Sequence, residues 1–106
     1  YQITLAEPPP PFPFATSADA ARLQTGPAVP ACENGGVLAR LGDEWRGISW
    51  ETRDLFIHFG KDGAPDYAYL TESRVGEPIQ VKRILPAIEA MRLFPTGCEY
   101  GDVKDT

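Results

Sequence analysis

The stretch DLFIHFGKDGAPDYAYL, residues 54–70, decides the fold of this 106-residue chain. Its first six and last five residues are mostly apolar or aromatic, a composition that favours β-strands. Between them stands Asp62-Gly63, a strong signal for a hairpin turn because Gly readily adopts positive φ. The stretch therefore predicts two antiparallel strands joined by a short loop.

Alternation along the first predicted strand separates its side chains into two faces. We assign one face to the core, and it carries three apolar side chains: Leu55, Ile57 and Phe59. His58 falls on the opposite face together with Asp54 and Phe56. A lone His on a strand is usually solvated or hydrogen-bonded, although a His and a carboxylate on one face are also what a small hydrolase would need.

Helices are predicted on either side of this hairpin. Thr16 or Ser17 can cap a short N-terminal helix over residues 18–24, because a side-chain hydroxyl accepts a hydrogen bond from the first turn. Pro86 suits the first turn of a main C-terminal helix over residues 85–93, where its missing N–H costs nothing. The apolar stripe expected to face the sheet contains Ala87, Ile88, Met91 and Phe94.

These elements predict an α+β fold. A small antiparallel sheet of three or more strands, around residues 45–81, is expected to pack against the C-terminal helix. Residues 45–50 and the alternating Ile79 and Val81 supply the further short strands. A chain of this length supports one hydrophobic core, so residues 17–106 are assigned to a single domain.

Residues 1–16 form a proline-rich N-terminal arm in this prediction. The run EPPPPFPF, residues 7–14, is expected to adopt polyproline II geometry because each Pro fixes φ. Two interpretations of Phe12 and Phe14 stay open. Either they pack back on the domain, or they dock into an aromatic groove of a partner.

The formal net charge of −5 argues against nucleic acid as a partner, since binding to phosphates depends on clustered Lys and Arg. Lys82 and Arg83 come closest to such a cluster, but acidic residues stand nearby. No run approaches the roughly 18 apolar residues of a membrane span, so we predict a soluble chain without a transmembrane segment. A membrane anchor lost from a longer protein is compatible with this sequence.

The two cysteines, Cys32 and Cys98, lie in loop-like contexts that contain Gly and Pro. We predict a disulfide between them, which would place the protein in an oxidising compartment, periplasmic or secreted. Two free thiols, or a nucleophilic Cys with His58 as its base, are the alternatives. Neither cysteine belongs to a C-x-x-C pair, and no metal site is predicted.

Other catalytic patterns are absent from the sequence. Gly35-Gly36 is not followed by the Lys and the Ser or Thr of a phosphate-binding loop, and no Ser lies in a nucleophile elbow. We therefore predict no catalytic residue, no cofactor and no enzymatic activity.

The segment from residue 55 to residue 97 carries a recognisable order of elements. A strand, LFIHF, precedes the Asp62-Gly63 turn and a second strand that ends near residue 73, and LPAIEAM, residues 85–91, leads to Phe94-Pro95. This order resembles the C-terminal domain of the TonB and TolA proteins of Gram-negative envelopes. The resemblance implies a domain that binds another envelope protein.

The function predicted is a non-catalytic protein–protein interaction domain of the cell envelope. Four aromatic residues are the candidates for binding a partner: Phe12, Phe14, Tyr67 and Tyr69. One alternative is a secreted or periplasmic inhibitor or immunity protein that presents the arm or the tail, residues 99–106, to an enzyme. A second alternative is a small hydrolase that uses His58 with Asp54.

Overall fold

A computed structural model of the protein describes residues 12–33, 35–74, 76–94 and 97–98. The strands are β1 (Val29–Pro30), β2 (Val37–Leu41), β3 (Trp45–Ser49), β4 (Arg53–Phe59), β5 (Pro65–Glu72) and β6 (Gln80–Leu85). The helices are α1 (Ser17–Ala21) and α2 (Ala87–Leu93). Most of the predicted arm, residues 1–11, and the tail, residues 99–106, lie outside the described residues.

The strands form one antiparallel sheet in which each pairs with its neighbours in sequence, in the order β1-β2-β3-β4-β5-β6. The predicted α+β class is confirmed, and the sheet extends beyond residues 45–81 on both sides. Neither helix in the described ranges is long and apolar enough to cross a membrane.

The central hairpin is formed by β4 and β5, as the sequence predicts. Gly63 adopts a φ of 82°, and its N–H donates to the carbonyl of Gly60 across 3.0 Å. The Asp62 carboxylate accepts a hydrogen bond from the N–H of Ala64 at 3.1 Å, which fixes the loop further. Both residues of the Asp62-Gly63 pair therefore stabilise the turn.

One face of the sheet and α2 enclose the helix-side core. Its buried members are Ile48, Leu55, Ile57, Phe59, Ala68, Leu85, Ala90 and Leu93. The side chains of Leu55 and Ile57 have no exposed surface, and Phe59 keeps only 8% of its surface exposed. The predicted core face of β4 is confirmed.

The predicted apolar stripe of α2 is wrong. Ile88 is 77% exposed and Met91 is 56% exposed, whereas Ala90 and Leu93 are buried against the sheet. The small side chain of Ala90 allows the helix to lie close to the strands, and this contact sets the rotation of the helix about its axis. Phe94 follows the helix in an extended conformation, and its ring packs edge-on against Phe59 at 5.0 Å.

The opposite face of the sheet carries a second hydrophobic cluster, the arm-side core. Its buried members are Phe14, Ala20, Leu41, Trp45, Phe56 and Tyr69, and Phe12 packs partly buried against them. Residues 12–14 thus pack back on the domain, which is the first of the two interpretations of the arm. Because both faces of β4 are covered, Phe56 is buried although it points away from the helix-side core.

Helix α1 is shorter than predicted. Thr16 forms a capping box with Asp19, in agreement with the sequence, but the helix ends at Ala21. The chain then turns toward β2, where Gln24 forms a β-bridge with Leu41. The carbonyl of Leu23 accepts a hydrogen bond from an N–H in the loop after β2. These contacts with β2 compete with a further helical turn.

Candidate functional site

The aromatic residues predicted to bind a partner lie together on the arm-side face. The Phe14 ring lies 5.3 Å from the ring of Trp45 and 5.4 Å from that of Phe56. The Phe12 ring lies 5.2 Å from that of Tyr69. Edge-on and tilted contacts at these distances add to the burial of apolar surface. Tyr67 packs partly buried against the same cluster, so the four predicted residues are near one another, and Phe12 and Phe14 of the arm occupy the aromatic surface.

Burial divides these four residues into two pairs. Phe14 and Tyr69 are 5% and 1% exposed, whereas Phe12 and Tyr67 lie half-buried at the rim of the cluster. Burial also raises the pKa of the Tyr69 hydroxyl group above its ordinary value. In this conformation only Phe12 and Tyr67 are within reach of a partner.

His58 makes its contacts at the end of β4 nearer the hairpin turn. Its ring lies 4.8 Å from the ring of Trp45, and its Nδ1 lies 3.4 Å from the Oδ2 of Asp66. That contact is within ion-pair distance but lacks hydrogen-bond geometry. Asp54 shares the face of His58, as predicted, yet four residues along a strand separate them by about 13 Å. The structure does not bring the proposed hydrolytic pair together.

The two cysteines form the predicted disulfide, which joins the loop between β1 and β2 to the segment after α2. Two glycines beside the disulfide lie where the backbone packs closely against other side chains. A Cβ on Gly36 would lie 2.8 Å from the Sγ of Cys32, and a Cβ on Gly97 would lie 2.7 Å from side-chain atoms of Ile48 and Leu55. Gly97 also has a φ of 65°, where a side chain is strained. The bond is compatible with an extracytoplasmic location.

Within the part of the chain that the structure describes, the sheet ends at β1 and β6, and these two edges differ in their capacity to accept another strand. Strand β1 is two residues long and contains Pro30, which has no N–H to donate. Strand β6 is six residues long, and its first five residues are exposed while Leu85 is buried. Unpaired backbone groups on such an edge are a template for another chain. The β6 edge is the candidate interaction site.

The side chains of β6 give this edge a distinct chemistry. Val81 and Ile84 are 38% and 48% exposed, and Lys82 and Arg83 stand between them. The strand itself contains no acidic residue, while Glu72 and Glu77 line the same surface depression as Lys82. The pairing with β5 shifts by one residue next to Lys82, so that Val81 and Ile84 both lie on the arm-side face. The sequence predicted only a short strand near Ile79 and Val81. Alternation could not reveal the rest because this bulge interrupts it.

Asp54 lies half-buried on the arm-side face, opposite Ser49 of β3. Burial raises the pKa of its carboxyl group above the ordinary value, and a hydrogen bond with Ser49 opposes part of this rise. Among the described residues, no Lys or Arg forms an ion pair with this carboxylate. Ionisation of this carboxyl group is therefore less favourable in the folded protein than in the unfolded chain.

The raised pKa of Asp54 predicts how stability depends on pH. The folded state holds the proton more tightly than the unfolded state, so this group favours folding below its unfolded pKa. That contribution is lost as the pH rises through the folded pKa. We expect the wild type to gain stability relative to Asp54→Asn as the pH falls from 7 to 3, measured by thermal unfolding at each pH. A constant difference in Tm between the two proteins would contradict this expectation.

No family model, no curated protein and no solved structure matches this chain.

Proposed function

We propose that this protein is a non-catalytic interaction domain of the cell envelope, and that its β6 edge binds an extended, acidic segment of a partner protein as an added strand. The observation that carries the proposal is the row of five exposed residues on a six-residue edge strand. The edge belongs to a sheet whose two cores hold the neighbouring strand β5 in place. A preformed edge of this kind binds a peptide through backbone hydrogen bonds.

Charge supports an acidic partner. Lys82 and Arg83 place two positive charges on this strand of a chain whose net charge is −5. Opposite charges on adjacent strands stabilise their pairing, and like charges directly opposite each other destabilise it. An acidic segment with apolar residues beside Val81 and Ile84 satisfies both the charges and the exposed apolar surface.

The same charges disfavour a second copy of this chain. If two β6 strands paired antiparallel about their common centre, Lys82 of each copy would stand opposite Arg83 of the other. The bulge beside Lys82 also makes the edge less regular, and both features are known to limit indiscriminate strand addition. These features favour selectivity for a segment of complementary charge.

Two further observations support the envelope as the location. The Cys32–Cys98 disulfide is of the kind that forms and persists in oxidising compartments. The resemblance of residues 55–97 to the C-terminal domains of TonB and TolA points to the same compartment and to the same class of function.

Binding to the edge is tested with a short peptide in which Glu and Val alternate, followed by the shifts of the backbone amide signals in NMR spectra. We expect the shifted signals to lie in β6 and the affinity to fall with added salt. Lys82→Glu should weaken binding by about three- to tenfold, because it replaces an attraction by a repulsion. The control Lys61→Glu changes the net charge equally at the exposed hairpin turn and should leave the affinity unchanged.

Two results would contradict the proposal. One is equal binding of the peptide in which Lys replaces Glu, since recognition would then not depend on charge. The other is a set of shifted signals outside β6. A pull-down from envelope extract with the wild type and Lys82→Glu then tests the physiological partner, of which the wild type should retain more.

A further inference from the structure

A partly open cavity of about 120 Å³ lies between α1 and strands β2, β3 and β4. Its floor is the arm-side face of the sheet, two strands away from the β6 edge. The strand register places Asp54 and Ser49 opposite each other at one end, with Phe56 in the middle and Leu41 toward the other end, where Gln24 bridges to Leu41. A carboxylate therefore lies within reach of apolar side chains in the same cavity.

Small residues on both walls create this space. Ala20 and Ala21 line it from α1, and Ala39 and Gly47 line it from neighbouring positions on β2 and β3. A Cβ on Gly47 would lie 3.1 Å from the Cδ1 of Leu41 and 3.5 Å from the Cε1 of Phe56, so Gly47 lets these two side chains pack over β3. Larger side chains on α1 would extend into the volume.

The walls are fixed relative to each other. The bridge between Gln24 and Leu41 ties the chain after α1 to β2. The hydroxyl groups of Ser17 and Ser73 lie 3.2 Å apart and connect the start of α1 to the end of β5. A site held in this way needs little rearrangement when a ligand enters.

The polar end of the cavity suits a cation. Asp54 brings a carboxylate that forms no ion pair with a described Lys or Arg. Ser49 hydrogen-bonds to this carboxylate, and its hydroxyl oxygen can still accept a hydrogen bond from a ligand. A partly buried carboxyl group with a raised pKa that lines a cavity is a candidate for a functional group. A cationic ligand would supply the missing counter-charge.

We propose that this cavity binds a primary alkylammonium group, with the ammonium beside the hydrogen-bonded side chains of Asp54 and Ser49 and the alkyl chain against Leu41 and Phe56. The three N–H donors of an ammonium group can reach both oxygen-bearing side chains at once. The site is independent of the proposed function of the β6 edge, and either can fail without the other.

The volume limits the length of the ligand. A protein cavity of about 150 Å³ accepts benzene, which has six non-hydrogen atoms. The present cavity is slightly smaller and suits n-butylammonium, which has five. The same group occurs in free amines and at the end of a Lys side chain of another protein. Butylammonium and a tripeptide of Gly-Lys-Gly with blocked ends distinguish the two sources, since tighter binding of the peptide indicates a Lys of a partner.

The test is an NMR titration of the whole protein at pH 7 with n-butylammonium and with its neutral counterpart n-butanol. We expect the shifted amide signals to lie at Ala20, Ser49 and Asp54. Butylammonium should bind about tenfold more tightly than butanol, because its hydrogen bond to the carboxylate is charge-assisted. Asp54→Asn should reduce the affinity for butylammonium by about the same factor. The control Asp43→Asn removes an equal charge from a side chain that is 95% exposed and should bind as the wild type does.

A second variant keeps the proposal testable if Asp54→Asn alters the fold. Ala21→Leu adds volume at an exposed position that lines the cavity, and we expect it to abolish binding while the protein stays folded. Equal affinity for butanol, undiminished binding by Asp54→Asn, or undiminished binding by Ala21→Leu would each overturn the proposal. So would the absence of any shift at millimolar concentrations of both ammonium probes.

Discussion

Replacing Cys32 and Cys98 together by Ser is expected to lower the free energy of unfolding by about 4 kcal/mol. The bond joins residues separated by 66 positions, and a crosslink across so long a loop removes many conformations from the unfolded chain. It also anchors Gly97 against the side chains of Ile48 and Leu55 in the helix-side core. Urea unfolding of the two proteins measures the difference in the free energy of unfolding. The midpoint urea concentration should fall while the dependence of the free energy on urea stays the same.

A reductant provides the control for this measurement. It should lower the unfolding midpoint of the wild type and leave that of the double Ser variant unchanged. If the double variant unfolds within about 1 kcal/mol of the wild type, the chain-entropy contribution is mostly absent and the bond serves another purpose.

The second large effect is expected from Phe14→Ala, which should cost about 3–5 kcal/mol of stability. Phe14 is 5% exposed and its ring contacts the rings of Phe12, Trp45 and Phe56. The truncation therefore leaves a cavity at the centre of the arm-side core. Denaturant unfolding gives the value, and loss of near-ultraviolet circular dichroism from Trp45 would report the same change.

Phe94→Ala is the matched control for Phe14→Ala. Phe94 is 38% exposed and touches the ring of Phe59, so its removal should cost much less than the removal of Phe14. Equal and small effects of the two substitutions would mean that the arm contributes little to folding. The arm would then be free to dock into the groove of a partner, which is the second interpretation of its Phe residues.

The parts of the fold that depend on local sequence could be predicted. The Asp62-Gly63 turn and the alternation of Leu55, Ile57 and Phe59 are contained within one short stretch, and they determine the hairpin and its core face. The disulfide followed from the presence of two cysteines in loop contexts. Each of these inferences needed only the identity of residues close together in the chain, or a single pair.

The parts that depend on packing between distant segments could not be predicted. Helix α2 has two apolar stripes, one with Ile88 and Met91 and the other with Ala90 and Leu93. Only contact with the sheet determines that Ala90 and Leu93 are the buried stripe. A seven-residue helix is too short for periodicity to decide between them. The cavity beside Asp54 likewise depends on the pairing of three strands and on the position of α1, which no local pattern contains.

The order of the strands has a consequence for how the chain acquires its structure. Each strand pairs with the strands next to it in sequence, so the sheet can grow outward from the β4–β5 hairpin without closing a long loop at any step. Topologies of this kind belong to the faster-folding β-containing proteins, because each new contact follows a short search. The covalent link between Cys32 and Cys98 is the exception, since it joins residues separated by 66 positions in the chain. We therefore expect strand pairing to precede formation of the disulfide.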